Sequence, residues 1–172
     1  MGIFKKPYLQ YKAKKNLKRR VPKDMRAFQE SEKIAILASD QFESSEQLEK
    51  LIADLKNAGK EVHVMVYNHT PKQGSPTLPH FTATDISASG KYEKEELVFF
   101  LKQSYDFAIC LDETRHFLID YVFSLLNAKC RVGLLQPDRN HFFELMIHST
   151  TSDKPASSEV LKYLKMIQSY EY

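Results

Sequence analysis

The sequence predicts an α/β fold, a three-layer sandwich on a mostly parallel sheet of five or six strands. Three observations carry that expectation. Short continuous apolar runs, the pattern of strands buried on both faces, recur along the chain. Stretches with apolar residues at helical spacing separate them, so strands and helices alternate. Of 172 residues, 42% are hydrophobic and 12% aromatic, enough for one packed core with an appendage.

The appendage comes first, as a basic N-terminal helical arm over residues 1–28. Residues 1–26 hold Lys5, Lys6, Lys12, Lys14, Lys15, Lys18, Arg19, Arg20, Lys23 and Arg26 against one acid, Asp24, a charge of +9. The remainder holds fifteen cations and twenty-one acids, a charge of −6. Pro7 suits the start of a helix and Pro22 its end. Between them Leu9, Ala13, Leu17 and Val21 form one narrow apolar stripe, too little to bury much surface. An isolated helix of about 14 residues is marginal in water. The arm is therefore either loosely ordered or ordered by what it touches.

The body spans 29–172. KIAILAS (33–39) reads as its first buried strand. ESSEQLEKLIADLKNAG follows as a helix with Leu48, Leu51, Ile52 and Leu55 inward, closed at Gly59. EVHVMVYN (61–68) completes a right-handed β-α-β unit. HTPKQGSPTLP (69–79) is a loop by its prolines and glycine, and HFTATDIS (80–87) is a weaker strand. KYEKEELVFFLKQS is a helix with Leu97, Phe100 and Leu101 inward. YDFAICLD (105–112) is a strong strand, residues 114–129 a helix, CRVGLLQ (130–136) a strand, and FFELMIH (142–148) a short strand after a PDRN turn. EVLKYLKMIQSY closes the chain as a helix, with Val160, Tyr163, Leu164 and Ile167 toward the body. The set makes the body a Rossmann-like domain, and since it holds every predicted strand it is expected to fold without the arm.

In such sheets ligands sit at the carboxyl ends of the strands, which places Ser39, Asp40, Asn68, Asp112, Glu113, Arg115 and Gln136 around a crevice. The first βα turn, ASDQFESSEQ, has no glycine, and the five glycines of the chain form no phosphate loop. Tight binding of a dinucleotide or a triphosphate is therefore not expected. Asp40 and Glu43 fit a helix cap better than a catalytic pair. Asp112, Glu113, Arg115 and His116 could supply a general base, but a cap by Asp112 or Thr114 explains them as well. The six histidines show no metal-ligand spacing, and no serine stands in a nucleophile elbow. No catalytic residue, metal ligand or cofactor is assigned. Cys110 and Cys130 lie in apolar runs and read as reduced core thiols of a cytoplasmic protein. Helix 114–129 is apolar nearly all round, so it is either buried under the arm or the last helix, or covered by a protein partner.

From YDFAICLDETRHFLIDYVFSLLNAKCRVGLLQPD the chain resembles the N-terminal half of heptosyltransferase-type glycosyltransferases. That resemblance implies a Rossmann-like half-fold; in the family the nucleotide-sugar binds the other half, and the first loop carries a Gly-Asp pair absent from ASDQFESSEQ. The whole plan is similar to an uncharacterised bacterial family with a basic N-terminal arm, a KIAIL-like first strand, the YDFAICLD and CRVGLL strands, an ELMI segment and a closing LKYL helix. This second resemblance implies the architecture and no reaction.

The charge split points to a polyanion. The expectation is a non-enzymatic binding protein whose arm, with Tyr8 and Tyr11 among its cations, engages RNA, the ribosome or another ribonucleoprotein, without DNA sequence readout. Two alternatives remain at this point: attachment to an anionic membrane surface through Ile3, Phe4, Tyr8, Leu9 and Leu17, and a small transferase or nucleotide-binding enzyme using the crevice. A solvated charge run without a specific partner is the plainest reading of the arm.

Overall fold

The structure, a computed structural model, describes residues 5–20, 25–42, 45–71, 77–148 and 156–168. Its elements are α1 (Lys5–Lys18), β1 (Lys33–Ser39), α2 (Ser45–Asn57), β2 (Glu61–Tyr67), β3 (His80–Phe81), α3 (Glu95–Lys102), β4 (Ser104–Leu111), α4 (Phe117–Leu125), β5 (Asn127–Leu134), a 3-10 turn at Pro137–Phe142, β6 (Leu145–Ile147) and α5 (Ala156–Lys165). Six strands pair in the order β3-β2-β1-β4-β5-β6, every pair parallel. The connections move outward on both sides of β1 and β4, the doubly wound arrangement, so the two halves part at the carboxyl ends of those strands.

The alternation along β1 explains the three layers. Ala35 and Leu37 face a core shared with α1, α3 and α4, while Ile34, Ile36 and Ala38 face a second core under α2 and α5. Period-two side chains on a strand covered by helices on both faces give the continuous apolar run seen in the sequence. The helix stripes are placed as their spacing predicts. Leu48, Leu51, Ile52 and Leu55 are buried, as are Leu97, Phe100 and Leu101, and so are Val160 and Leu164. Tyr163 and Ile167 are partly buried against the same core.

Several boundaries differ. The strand expected over 80–87 is only His80–Phe81, because the chain then turns: Asp85 takes the Thr82 N–H, and Ile86 makes an isolated antiparallel bridge to Tyr92. The last short strand begins at Leu145 rather than Phe142, because residues 137–142 are wound into the 3-10 turn. The expected caps also differ. Asp40 does not cap α2, which starts at Ser45; its carboxylate turns to His69 instead. Glu43 lies outside the described residues. The cap of α4 is His116, whose Nδ1 accepts from the Leu118 N–H, while Asp112 closes the preceding turn by accepting from the N–H groups of Thr114 and Arg115.

For the basic segment the structure selects one of the two expectations, order imposed by what the segment touches. Residues 5–18 are neither loose nor peripheral: α1 packs along α4, with Leu9 and Ala13 buried and Leu17 partly so. Val21 lies outside the described residues. The apolar surplus of α4 is thereby taken up inside the chain. One side of α4 meets the sheet, the other meets α1, and α5 sits on the opposite face. The narrow stripe suffices because α4 supplies the rest of the contact.

Candidate functional site

Two places gather the polar residues singled out by the sequence: the outward face of α1 and the crevice at the carboxyl ends of the strands.

The cations of α1 divide into two sets. Lys5 is buried, and its ammonium donates to the carbonyls of Ala83 and Ile86. Burial lowers its pKa. Arg20 binds Glu144 and the carbonyls of Ala128 and Lys129, and Arg26 lies 3.9 Å from Asp106 and 4.0 Å from Glu32. These three hold the helix and its exit to the body. Lys6, Lys14, Lys15, Lys18 and Arg19 are exposed and make no ion pair among the described residues. Lys12 donates to the Ser89 carbonyl at 2.7 Å and lies 5.0 Å over the Tyr8 ring. Lys23 lies outside the described residues. No acid occurs from 5 to 20, so the face is uniformly positive. Tyr8 (43% exposed) and Tyr11 (61% exposed) stand among the cations. A shallow groove of about 260 Å³ runs there, lined by Tyr8, Tyr11, Lys12, Lys15, Asn16 and Arg19, with Tyr121 and Leu125 of α4 as its other wall. Its lining is aromatic faces beside ammonium and guanidinium groups.

The crevice residues separate into two groups. In the first, Ser39 and Asp40 at the end of β1 meet the residues after β2. The Asp40 carboxylate accepts the His69 backbone N–H at 2.9 Å and contacts His69 Nδ1 at 2.6 Å, while Ser39 Oγ stands 3.5 Å from the same nitrogen. His69 Nε2 is buried without a hydrogen-bond partner. Behind it the Tyr67 ring packs edge-on against His69 at 4.4 Å and stacks on His116 at 4.6 Å. Burial raises the Tyr67 hydroxyl pKa to about 12; burial, then the neighbouring His69, lowers that of His116 to about 4. Asn68 is buried and turns its side-chain oxygen to the Thr70 N–H. The Asp40 carboxylate fixes the orientation of the His69 ring. The sequence reading named Asp40 and Asn68 here and missed His69 and Tyr67; the signal available was that His69 follows the last residue of a buried strand.

In the second group Asp112 is fully buried and paired with Arg139 at 3.2 Å. Gln136 donates to the Asp112 carbonyl at 2.9 Å and accepts from Arg139. Arg139 also binds Asp120 at 2.5 Å and lies 3.5 Å from Cys110 Sγ. Every member is enclosed, so this network braces the strand ends rather than facing a ligand. Glu113 is exposed. Arg115 takes a left-handed backbone, φ 55°, and its guanidinium reaches outward to Asp138 at 2.9 Å. Among the described residues no three His, Cys, Asp or Glu side chains converge as a metal site requires. Cys110 and Cys130 are buried free thiols, their pKa values raised by burial to about 12 and about 11, which keeps them protonated and unreactive. Among the described residues no helix is long and apolar enough to cross a membrane.

A family model described as "Family of unknown function (DUF6913)" matches residues 5–167. No curated protein and no solved structure matches the chain. The match begins at the first residue of α1.

Proposed function

The chain belongs to the DUF6913 family, and from the geometry of its first helix we propose that it is a non-enzymatic binding protein that holds single-stranded RNA, in a ribonucleoprotein such as the ribosome, on the outward face of α1. The single observation that carries this reading is the company of exposed cations free of ion pairs, Lys14, Lys15, Lys18 and Arg19, and two exposed tyrosines on an acid-free segment docked on a folded body. Cations contact phosphates, and the tyrosines offer stacking surfaces worth about 1–3 kcal/mol per base. Docking on α4 also fixes the helix before a partner arrives, which lowers the ordering cost of binding.

Anisotropy of a labelled single-stranded RNA against salt tests it. With five phosphate contacts the slope of log affinity against log salt is about −3.5. Replacing Lys6, Lys14, Lys15, Lys18 and Arg19 together with Gln removes most of that slope and leaves the fold intact, since none of the five is buried or paired. Arg20 is left in place because it bonds to the body. Unchanged RNA binding by the Gln variant overturns the proposal. Attachment to anionic vesicles that disappears in the variant Ile3→Ser with Phe4→Ser, while RNA fails to bind, favours the membrane instead; both residues precede the described part of the chain.

A second reading, a small transferase or nucleotide-binding enzyme at the crevice, is favoured by the Asp40–His69 contact and the unpartnered Nε2. Titration with nucleoside diphosphates and nucleotide-sugars, followed at the His69 and His116 ring resonances, checks it. The glycine-free first turn leads us to expect no movement at micromolar ligand.

A further inference from the structure

Among the described residues the sheet is incomplete beside β3. β2 has seven residues, but β3 pairs with it only at Val66 and Tyr67. Glu61 N–H bonds to Glu32 on the β1 side, whereas Val66 and Asn68 donate to Pro79 and Phe81 on the β3 side. By the same alternation the peptide groups of Val62 and Val64 point away from β1. No described residue is in register beside them. The omission leaves a slot of about 520 Å³ between the two helical layers, walled by Ile52 and Lys56 of α2 on one side and by Phe99 and Phe100 of α3 on the other. Phe99 is 57% exposed at its mouth, and Glu95 and Glu96 stand exposed on the same rim.

We propose that this slot receives an extended peptide from a partner protein, which supplies the missing length of strand beside Val62–Val64 and carries apolar residues at successive positions next to lysine or arginine. Three features select that occupant. The outward N–H and C=O groups of an edge strand pair with another strand. A strand entering between two helical layers is covered on both faces, so its side chains must be apolar in succession and not only alternately. The exposed acids Glu95 and Glu96 outnumber Lys56 among the lining residues, so the flanking charge is positive. A second copy of the chain fits poorly: twofold pairing of two such edges sets Glu61, Glu95 and Glu96 of each copy along one seam, where like charges repel. None of the slot's residues belongs to α1, so this proposal is independent of RNA binding.

The test uses the full chain and fluorescein-labelled acetyl-Lys-Val-Ile-Val-Lys-amide. Saturable binding is expected, with slowed hydrogen exchange at the Val62 and Val64 amides. The variant Glu95→Lys with Glu96→Lys, and separately Phe99→Ser, weaken it about tenfold or more, equivalent to about 1.4 kcal/mol; all three positions are exposed, so the buried core is kept, and a melting curve of each variant verifies that it is folded. A peptide flanked by Glu instead of Lys binds more weakly, and one N-methylated at the Ile amide more weakly still. Absence of binding at millimolar peptide, protection at amides elsewhere, or indifference to the flanking charge overturns the proposal. A concentration-dependent dimer that protects Val62 and Val64 without peptide also overturns it, by assigning the edge to a second copy.

Discussion

Arg139 lies 27 positions past Asp112, the residue it braces, and joins Asp112, Asp120 and Gln136 in one network. Removing one partner of a buried pair leaves the other charge unmatched, at a cost of about 3–5 kcal/mol. Arg139→Met is therefore expected to lower the denaturant midpoint sharply, and a restoring second change, Asp112→Asn, to recover part of the loss; the pair of midpoints is the measurement. His116 makes a pH prediction. Its ordinary pKa of 6.5 falls to about 4 in the fold, through burial first and then the proximity of His69. Between those values the unfolded chain binds a proton that the folded chain refuses, so stability falls as pH drops from 6.5 toward 4 and this contribution levels off below. Melting curves of the parent and of His116→Gln across that window check it: the variant loses that part of the slope.

At the scale of the element, α1 is a helix made by its neighbour. Fourteen residues with one narrow stripe do not hold a helix alone, but Leu9 and Ala13 close onto α4, and Asn16 donates to Ser124 at 3.0 Å. Leu9→Ala is expected to cost about 2–5 kcal/mol, because the side chain is fully enclosed and the site cannot collapse freely. Deleting residues 1–20 uncovers the outer side of α4, so a loosened body that binds hydrophobic dyes is expected in place of the independently folding one that the sequence suggested. Gly90 belongs to the same junction. It sits at φ 82°, a Cβ there would come 2.5 Å from the Tyr121 hydroxyl, and that hydroxyl donates to the Gly90 carbonyl. Gly90→Ala therefore combines backbone strain with a clash, and its melting temperature should fall well below the parent's, whereas Gly59→Ala, at a similar φ with open space around it, incurs the strain alone and should fall less.

For the molecule as a whole, the sheet was legible because its strands are buried on both faces: KIAILAS maps onto β1 without a shift, and the β4 and β5 runs fall within a few residues of their strands. Periodicity also gave the inward faces of α2 and α3, since each meets one surface only. The packing of α1 was legible only as one alternative, the cover for an over-apolar helix, because its charge outweighs a stripe that gains meaning only when α4 is folded beneath it. Nor was the Asp40–His69 contact, which joins residues 29 positions apart through the ends of neighbouring strands, while the local spacing of Asp40 and Glu43 offered a simpler cap. The brevity of β3 was hidden for a related reason: an eight-residue polar-apolar run such as HFTATDIS looks the same whether it pairs or turns.

The Asn16–Ser124 contact spans 108 positions, and that distance becomes time during synthesis. At about 5–20 residues per second, about 5–20 s pass between the emergence of the first helix and that of its docking surface. Through that interval residues 5–20 are a polycation without its docking surface, and the seam with α4 is closed only after most of the sheet has been translated. A helix translated ahead of every strand it covers is thus among the last elements to reach its place.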